Sequence, residues 1–394
     1  MRSFIVCMLT VIGAVIDVSA QWQQRSTQHQ VTSLTFNGSG FFAGTINGYG
    51  VIKSADNGLN WGNLNTLNKM IYALHSNVTE TYAGTNNGAY KSTTGGSNWS
   101  PPDTASANFT PLAFAQTGSY LFFAANGGVF RSTNYGLNWS AYNNGLLSTN
   151  VTAVVTIGDV VFAGTGAGSV FKSTSFGFNW SSASFGLPGG SNLITCLYAD
   201  GSTLYAGVHA AGIYKSVDSG STWTSAANGL PGSNDVLCIT SFNGNIFAGT
   251  YGSGVYRSTD GGAQWVSINN GIANYPADLK IHALAIASTD IFAGTENGIY
   301  KRNLTEVVGV NEMDNTAMAI RVFPNPAKKE ITIQLGNDLA NNHLEIYNSA
   351  GSLVYSAQAV SAQQTIATDF FTSGIYFIKI SAGSRSGAYK FIVE

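Results

Sequence analysis

An all-β chain is predicted, folded as a seven-bladed β-propeller with a small immunoglobulin-like β-sandwich behind it, and three observations carry that expectation. A strand-and-turn unit ending in tryptophan recurs at intervals of 38 to 43 residues, the period of a four-stranded blade. Glycine reaches 46 residues while charged residues make up only 10%, which suits many short strands joined by tight turns. Beyond residue 302 the repeat stops and a different set of period-2 segments begins. The 394 residues suffice for one large repeat domain and one small one, each burying its own core.

The repeat unit is aromatic-Ala-Gly-Thr, a Gly turn, apolar-aromatic-Lys/Arg-Ser, then a turn closing in Gly-x-x-Trp. Phe42-Ala43-Gly44-Thr45 leads to Lys53-Ser54-Ala55-Asp56-Asn57-Gly58 and Trp61, and Phe247-Ala248-Gly249-Thr250 leads to Arg257-Ser258-Thr259-Asp260-Gly261-Gly262 and Trp265. Between them stand units ending in Trp99, Trp139, Trp180 and Trp223. A seventh unit, Phe292-Ala293-Gly294-Thr295 followed by Gly298-Ile299-Tyr300-Lys301, has no closing tryptophan. The remaining one, Trp22, precedes Val31-Thr32-Ser33-Leu34, which resembles the first strand of the other units. The N-terminus is therefore expected to supply the outer strand of the seventh blade, closing the ring and removing its exposed edges.

Residues 1–20 read as a secretory signal peptide, with Arg2, the apolar run from Phe4 to Ile16 and the small-residue pattern Val18-Ser19-Ala20. That run is too short to span a bilayer, and no later transmembrane span is expected. The expected divisions are a propeller over 21–302, a linker over 303–319 and a C-terminal domain over 320–394. A net charge of −2 and a pI near 6.2 offer no basic field, so no nucleic acid partner is expected. Cys196 and Cys238 fall in matched first-strand positions on neighbouring blades, which disfavours the close Cα approach a disulfide needs, so two free thiols are expected over the alternative of a disulfide.

The turn Ser-x-Asp-x-Gly-x-x-Trp resembles the Asp box, or BNR repeat, of sialidases, xyloglucanases, sortilin-type receptors and a photosystem assembly factor. Its complete copies comprise Ser54, Asp56, Gly58 and Trp61; Asp218, Gly220 and Trp223; and Asp260, Gly262 and Trp265. The carboxylate can accept N–H groups inside the turn, the glycine permits positive φ and the tryptophan packs between blades. Thr94, Asn134 and Ser175 replace the Asp elsewhere, which favours an architectural role. The resemblance implies that any ligand site lies on the opposite face.

Catalysis finds few residues. The expected mature propeller has only Arg25, Arg131, Arg257 and Arg302, and the last three belong to the third-strand repeat or its edge. No arginine triad of a sialidase can be built. A glycosidase needs two carboxylates, for which Asp235, Asp278 and Glu296 are weak candidates; solvated loop acids are the plainer reading. The five histidines show no metal-ligand spacing, so no metal and no cofactor are expected. Binding residues are placed on the rim formed by second-to-third-strand turns and by the connections entering each first strand: Tyr49, His209, Tyr251 and Tyr275. Aromatic and amide groups there suit an extracellular glycan or protein ligand.

The tail opens with Pro324-Asn325-Pro326, continues through Leu344-Glu345-Ile346-Tyr347 to Gly351, then Gly374-Ile375-Tyr376, and ends with Lys390-Phe391-Ile392-Val393. It closely resembles the type A C-terminal sorting domain of the type IX (Por) secretion system of Bacteroidetes. The resemblance implies sorting roles for Pro324, Asn325, Pro326, Gly351, Gly374, Tyr376 and Lys390, the type IX machinery as partner, and a destination outside the cell or on its outer surface. Three functions stay open at this point: a recognition or adhesion module, an extracellular glycoside hydrolase acting on polysaccharide, and a structural or assembly scaffold.

Overall fold

Each repeat folds as an antiparallel meander because runs of β-branched and aromatic residues alternate with Gly, Asn and Asp turns. The computed structural model describes residues 21–27, 29–46, 48–64, 66–190, 192–232, 235–272, 276–304, 320–335, 343–348, 353–358, 363–382 and 385–393. The expected signal peptide, Tyr275 and Gly351 lie outside these. In the first blade Val31–Phe36, Phe41–Thr45, Val51–Ser54 and Gly62–Asn63 pair in chain order. Blades three to six repeat this four-stranded order. The second blade has three strands, with its fourth reduced to a bridge between Lys91 and Ser100.

The seventh blade takes Gln23–Ser26 as its outer strand, antiparallel to Gly298–Asn303. The seven innermost strands touch in cyclic order, and the last, Ile281–Ala287, returns to Val31–Phe36. The ring is thus closed by the N-terminal strand. That last repeat strand runs to Asn303, and Leu304 is fully buried with its N–H donated to the Thr289 carbonyl at 2.6 Å. The repeat domain consequently ends later than residue 302, and the chain divides into two compact units, Met1–Thr305 and Glu306–Glu394.

Three devices join the blades. The second-strand glycine is a close-approach position: a Cβ on Gly44 would sit 2.5 Å from Ile71 of the next blade. The tryptophans fill the junctions, and Trp22, Trp139, Trp180, Trp223 and Trp265 are buried. Each removes about 150–250 Å² from water, worth about 4–6 kcal/mol at ~25 cal/mol per Å². At four junctions the tryptophan is also latched twice to the preceding blade. Trp22, Trp180, Trp223 and Trp265 donate main-chain N–H to Asn270, Asn144, Phe185 and Asn228, and indole N–H to Ile268, Tyr142, Ala183 and Ala226.

The third device uses the repeat cation. Lys53, Lys91, Arg131, Lys172, Lys215 and Lys301 lie against aromatic rings of their own blades. Each then reaches a box-turn carbonyl of the following blade: Gly95, Tyr135, Phe176, Ser219, Gly261 and Asn57. Arg257 faces a blade with no box, and its Nε donates instead to Asn245 Oδ1 at 2.8 Å.

In the second unit Ile320–Phe323, Glu330–Leu335 and Gln363–Ala367 form one sheet. The other has the order Leu353–Gln358, His343–Asn348, Gly374–Ala382, Arg385–Val393. Their inner faces bury Ile331, Ile333, Leu344, Ile346, Tyr376, Ile378 and Phe391 in one core, the sandwich the alternation predicts.

Candidate functional site

The box turns are built from the inside by their own side chains. Asp56 Oδ1 accepts from Leu59 N, Asn60 N and the Ser54 hydroxyl, while Ser54 Oγ accepts from Gly58 N. Asp218 and Asp260 repeat the pattern with Thr222 N and Gln264 N. Hydrogen bonds from the Asn60 main chain and side chain hold Asp56 at a pKa of about 2, and those of the Thr222 hydroxyl and main chain hold Asp218 likewise. Where Asp is absent, Thr94 Oγ1, Asn134 Oδ1 and Ser175 Oγ accept the equivalent N–H from Asn98, Asn138 and Asn179. Gly58, Gly220 and Gly262 have φ of +75°, +79° and +90°. Asp56, Asp218 and Asp260 each commit Oδ1 to a main-chain N–H of their own turn, so the boxes hold turns in place.

On the rim of the second-to-third-strand turns the last three blades gather their polar side chains. His209 Nδ1 lies 2.8 Å from Asp235 Oδ2, and Asp235 Oδ1 accepts Ala210 N at 3.0 Å. The Asp235 carbonyl then accepts Tyr251 N at 2.8 Å, tying that pair to the next turn. Tyr251, 45% exposed, carries the Lys280 ammonium 4.9 Å from its ring centroid and the His282 ring edge-on at 6.2 Å. Lys280 Nζ donates to both Glu296 oxygens at 3.0 and 3.2 Å. Hydrogen bonding to Glu296, then to Tyr251, raises the Lys280 pKa, while burial lowers that of His282 and leaves its imidazole neutral at neutral pH.

Asp278 lies two residues before Lys280 in a short 3₁₀ turn, Pro276–Leu279, and is 2% exposed. Its carboxylate bonds the Tyr300 hydroxyl, whose pKa burial and then Asp278 push up to about 12. Tyr49 lies elsewhere on the rim, 46% exposed, with the His29 ring 4.2 Å from its own. Among the described residues no group of His, Cys, Asp and Glu is arranged to hold a metal. Cys196 and Cys238 are free, and burial pushes the Cys196 thiol up to about 12.

In the sandwich, Asn325 Oδ1 accepts Ile392 N at 2.9 Å, and the Ile392 carbonyl accepts Ala327 N at 2.7 Å. The Pro324-Asn325-Pro326 turn thereby pins the last strand. Tyr376 is buried and its hydroxyl donates to the Thr372 carbonyl at 2.7 Å. Gly374 opens the neighbouring strand in register with Val393, and Lys390 pairs with Phe377.

Residues 321–394 match the family model described as the secretion system C-terminal sorting domain. The tail is a secretion sorting domain. It assigns the chain to type IX export, toward the cell surface or the extracellular space. Beta-agarase A of Zobellia galactanivorans is 33% identical over 82 residues, which make up 21% of this chain, and the match spans 15% of that protein's length. YCF48 from Cyanidioschyzon merolae superposes with a TM-score of 0.57 at 16% identity, over 73% of this chain and 99% of its own; YCF48 has also been solved bound to D1 peptide. The GH74 xyloglucanase from Xanthomonas campestris gives a TM-score of 0.59 at 15% identity, over 94% of this chain and 68% of its own. At these identities the likeness is one of fold, a β-propeller.

Ahead of the sorting domain, the structure brings Asp235, His209, Tyr251 and Glu296 together, buries Asp278 against Tyr300 and leaves Tyr49 apart. Lys280 and His282 were not among the candidates from sequence. Lys280 stood out as, with Lys69, one of two propeller lysines outside the repeat position, but nothing in the sequence set it or His282 beside Tyr251. Asp103 has an architectural task, accepting Trp139 N at 2.8 Å and Ser106 N at 3.0 Å. No helix among the described residues is long and apolar enough to cross a membrane.

Proposed function

We propose that the exported propeller is a recognition or adhesion module that binds an extracellular glycan or peptide on the rim of blades five to seven. The carrying observation is a half-exposed aromatic platform, Tyr251, fixed among Lys280, His282, Glu296, Asp235 and His209. Their charges are compensated within the cluster, so a ligand meets directional donors and acceptors instead of a net field. The solved complex of YCF48 with a peptide supports a binding role for this fold. In a binding screen of immobilised glycans and peptides, Tyr251→Ala with His209→Ala is expected to lose the wild-type hits at unchanged thermal stability. Hits that survive both substitutions would refute the rim assignment.

A glycoside hydrolase is the second reading, favoured by the fold shared with a GH74 xyloglucanase. The chemistry weighs against it. Both rim carboxylates are already engaged by protein partners, Asp235 by His209 and Ala210 N and Glu296 by the Lys280 ammonium, instead of flanking an open cleft as a glycosidic bond requires. Release of reducing sugar from polysaccharide, abolished by Asp235→Asn or Glu296→Gln, would replace binding with hydrolysis as the function.

A further inference from the structure

The seam where the N-terminal strand closes the ring rests on few contacts. Gln23, Gln24 and Ser26 pair with the Gly298–Asn303 strand, and Arg25 is inserted where the register shifts. The Ser26 carbonyl is turned onto Gly298, where a Cβ would lie 1.8 Å from it. Cys196 and Cys238 are free and lend the ring no disulfide. Lys301, paired with Gln23, crosses from the seventh blade to the first. Its Nζ donates to the Asn57 carbonyl at 3.1 Å and lies 2.9 Å from Asp290 Oδ2, and the same Oδ2 accepts Asn57 Nδ2 at 3.1 Å. The Lys301 and Asp290 side chains are only 13% and 8% exposed. The buried Phe292 ring lies 5.5 Å from the ammonium, and Gly58 packs onto that ring, which fixes the turn carrying Asn57.

Neither Asn57 nor Asp290 follows the repeat. Where the first box has Asn57, the next five have Gly95, Tyr135, Phe176, Ser219 and Gly261. Tyr135, Phe176 and Ser219 hold φ of +56°, +52° and +56°, so the +58° of Asn57 does not call for an amide. Two residues before the repeat aromatic, Asp290 stands where the other blades have Gly40, Glu80, Tyr120, Val160, Thr203 and Asn245. The second blade also has an acid, with Lys91 Nζ 2.6 Å from Glu80, but its junction offers that lysine only Tyr135. Among the described junctions, an amine, a carboxylate and a carboxamide therefore meet only where the ring closes.

We propose that Lys301 and Asn57 join there in an intramolecular isopeptide bond. Moving one proton across the Lys301–Asp290 hydrogen bond replaces two largely buried charges by a neutral amine and a carboxylic acid and leaves Nζ a nucleophile. Nζ attacks Asn57 Cγ and the Nζ–Cγ bond forms. Asp290 Oδ2, in hydrogen-bond reach of both nitrogens, carries protons from Nζ to the leaving Nδ2. The Cγ–Nδ2 bond breaks, ammonium departs and the Asp290 carboxylate is restored, so the step balances without a co-reactant. The link joins positions 244 residues apart, a long loop whose closure restricts the unfolded chain. It holds the seventh blade to the first independently of the short closing strand, and it does not depend on the rim reading.

The test is tryptic peptide mapping by mass spectrometry on the secreted, denatured protein. A branched peptide joining residues 54–69 to 281–302 is expected, uncut after Lys301 and one ammonia lighter than the sum of its parts. On a denaturing gel the wild type is expected to run ahead of Asn57→Ser and Asp290→Thr. These variants install the residues that the fifth blade carries at 219 and 203, and both are expected to keep the native circular dichroism and to yield separate peptides. Unlinked 54–69 with cleavage after Lys301 in the wild type would overturn the proposal. A link that survives Asp290→Thr would overturn it too, as would one from Lys301 to Asn303, whose Nδ2 also donates to Asp290.

Discussion

Asp56 and Asp218 spend their charge on their own turns, and that makes them acid sensors of stability. Their folded pKa of about 2 lies below the ~3.9 of an unfolded aspartate. Their stabilising contribution is therefore present above about pH 4 and lost as pH falls toward 2. Asp56→Asn with Asp218→Asn is expected to lower the melting temperature at pH 7 yet flatten its fall between pH 4 and 2; parallel curves for variant and wild type would contradict this. Gly58 tests geometry without charge: its φ is +75° and a Cβ would meet Phe292 at 2.1 Å. Gly58→Ala should cost about 2–4 kcal/mol in denaturant unfolding. Gly38→Ala, with φ of +88° but open space around it, should cost only about 1 kcal/mol.

Among the elements, the closing strand carries the most consequence for the fewest residues. Its place was legible in the sequence, because seven tryptophans serve seven blades only if Trp22 completes the last. The cation clamps were not, since a Lys or Arg at every third strand gives no hint of which carbonyl it reaches. The register shift at Arg25 was equally hidden, being fixed by how Ser26 packs on Gly298. The clamps make a paired test. Lys301 grips Asn57 across the seam and also pairs with Asp290 at 2.9 Å, while Arg257 has no box to hold. Lys301→Met is expected to destabilise by about 1–3 kcal/mol, more than Arg257→Met, and to speed amide exchange in Gln23–Ser26. Equal effects would sink the clamp as a closing device.

For the whole molecule, the sequence revealed destination better than ligand. Export was readable because a sorting domain is a set of motifs in order, and its last strand is pinned by Asn325 and anchored through buried Phe391 and Val393. Deleting Lys379 to Glu394 is expected to stop delivery outside the cell while the propeller keeps its melting temperature; normal delivery would contradict the role of that strand. The rim was legible only in part. Asp235, His209, Tyr251 and Glu296 occupy equivalent turn and entry positions, so topology placed them on one face. Lys280 and His282 joined them only through side-chain packing.

On the function proposed above, the exported ring binds through blades five to seven without cleaving. A single measurement meets it most directly: the secreted protein and its Tyr251→Ala, His209→Ala variant, matched in melting temperature, are passed over arrayed extracellular glycans and peptides with the eluate assayed for cleavage products. The account predicts retained ligand for the wild type, none for the variant and no products from either. Equal retention by both proteins, or products released by the wild type, would contradict it.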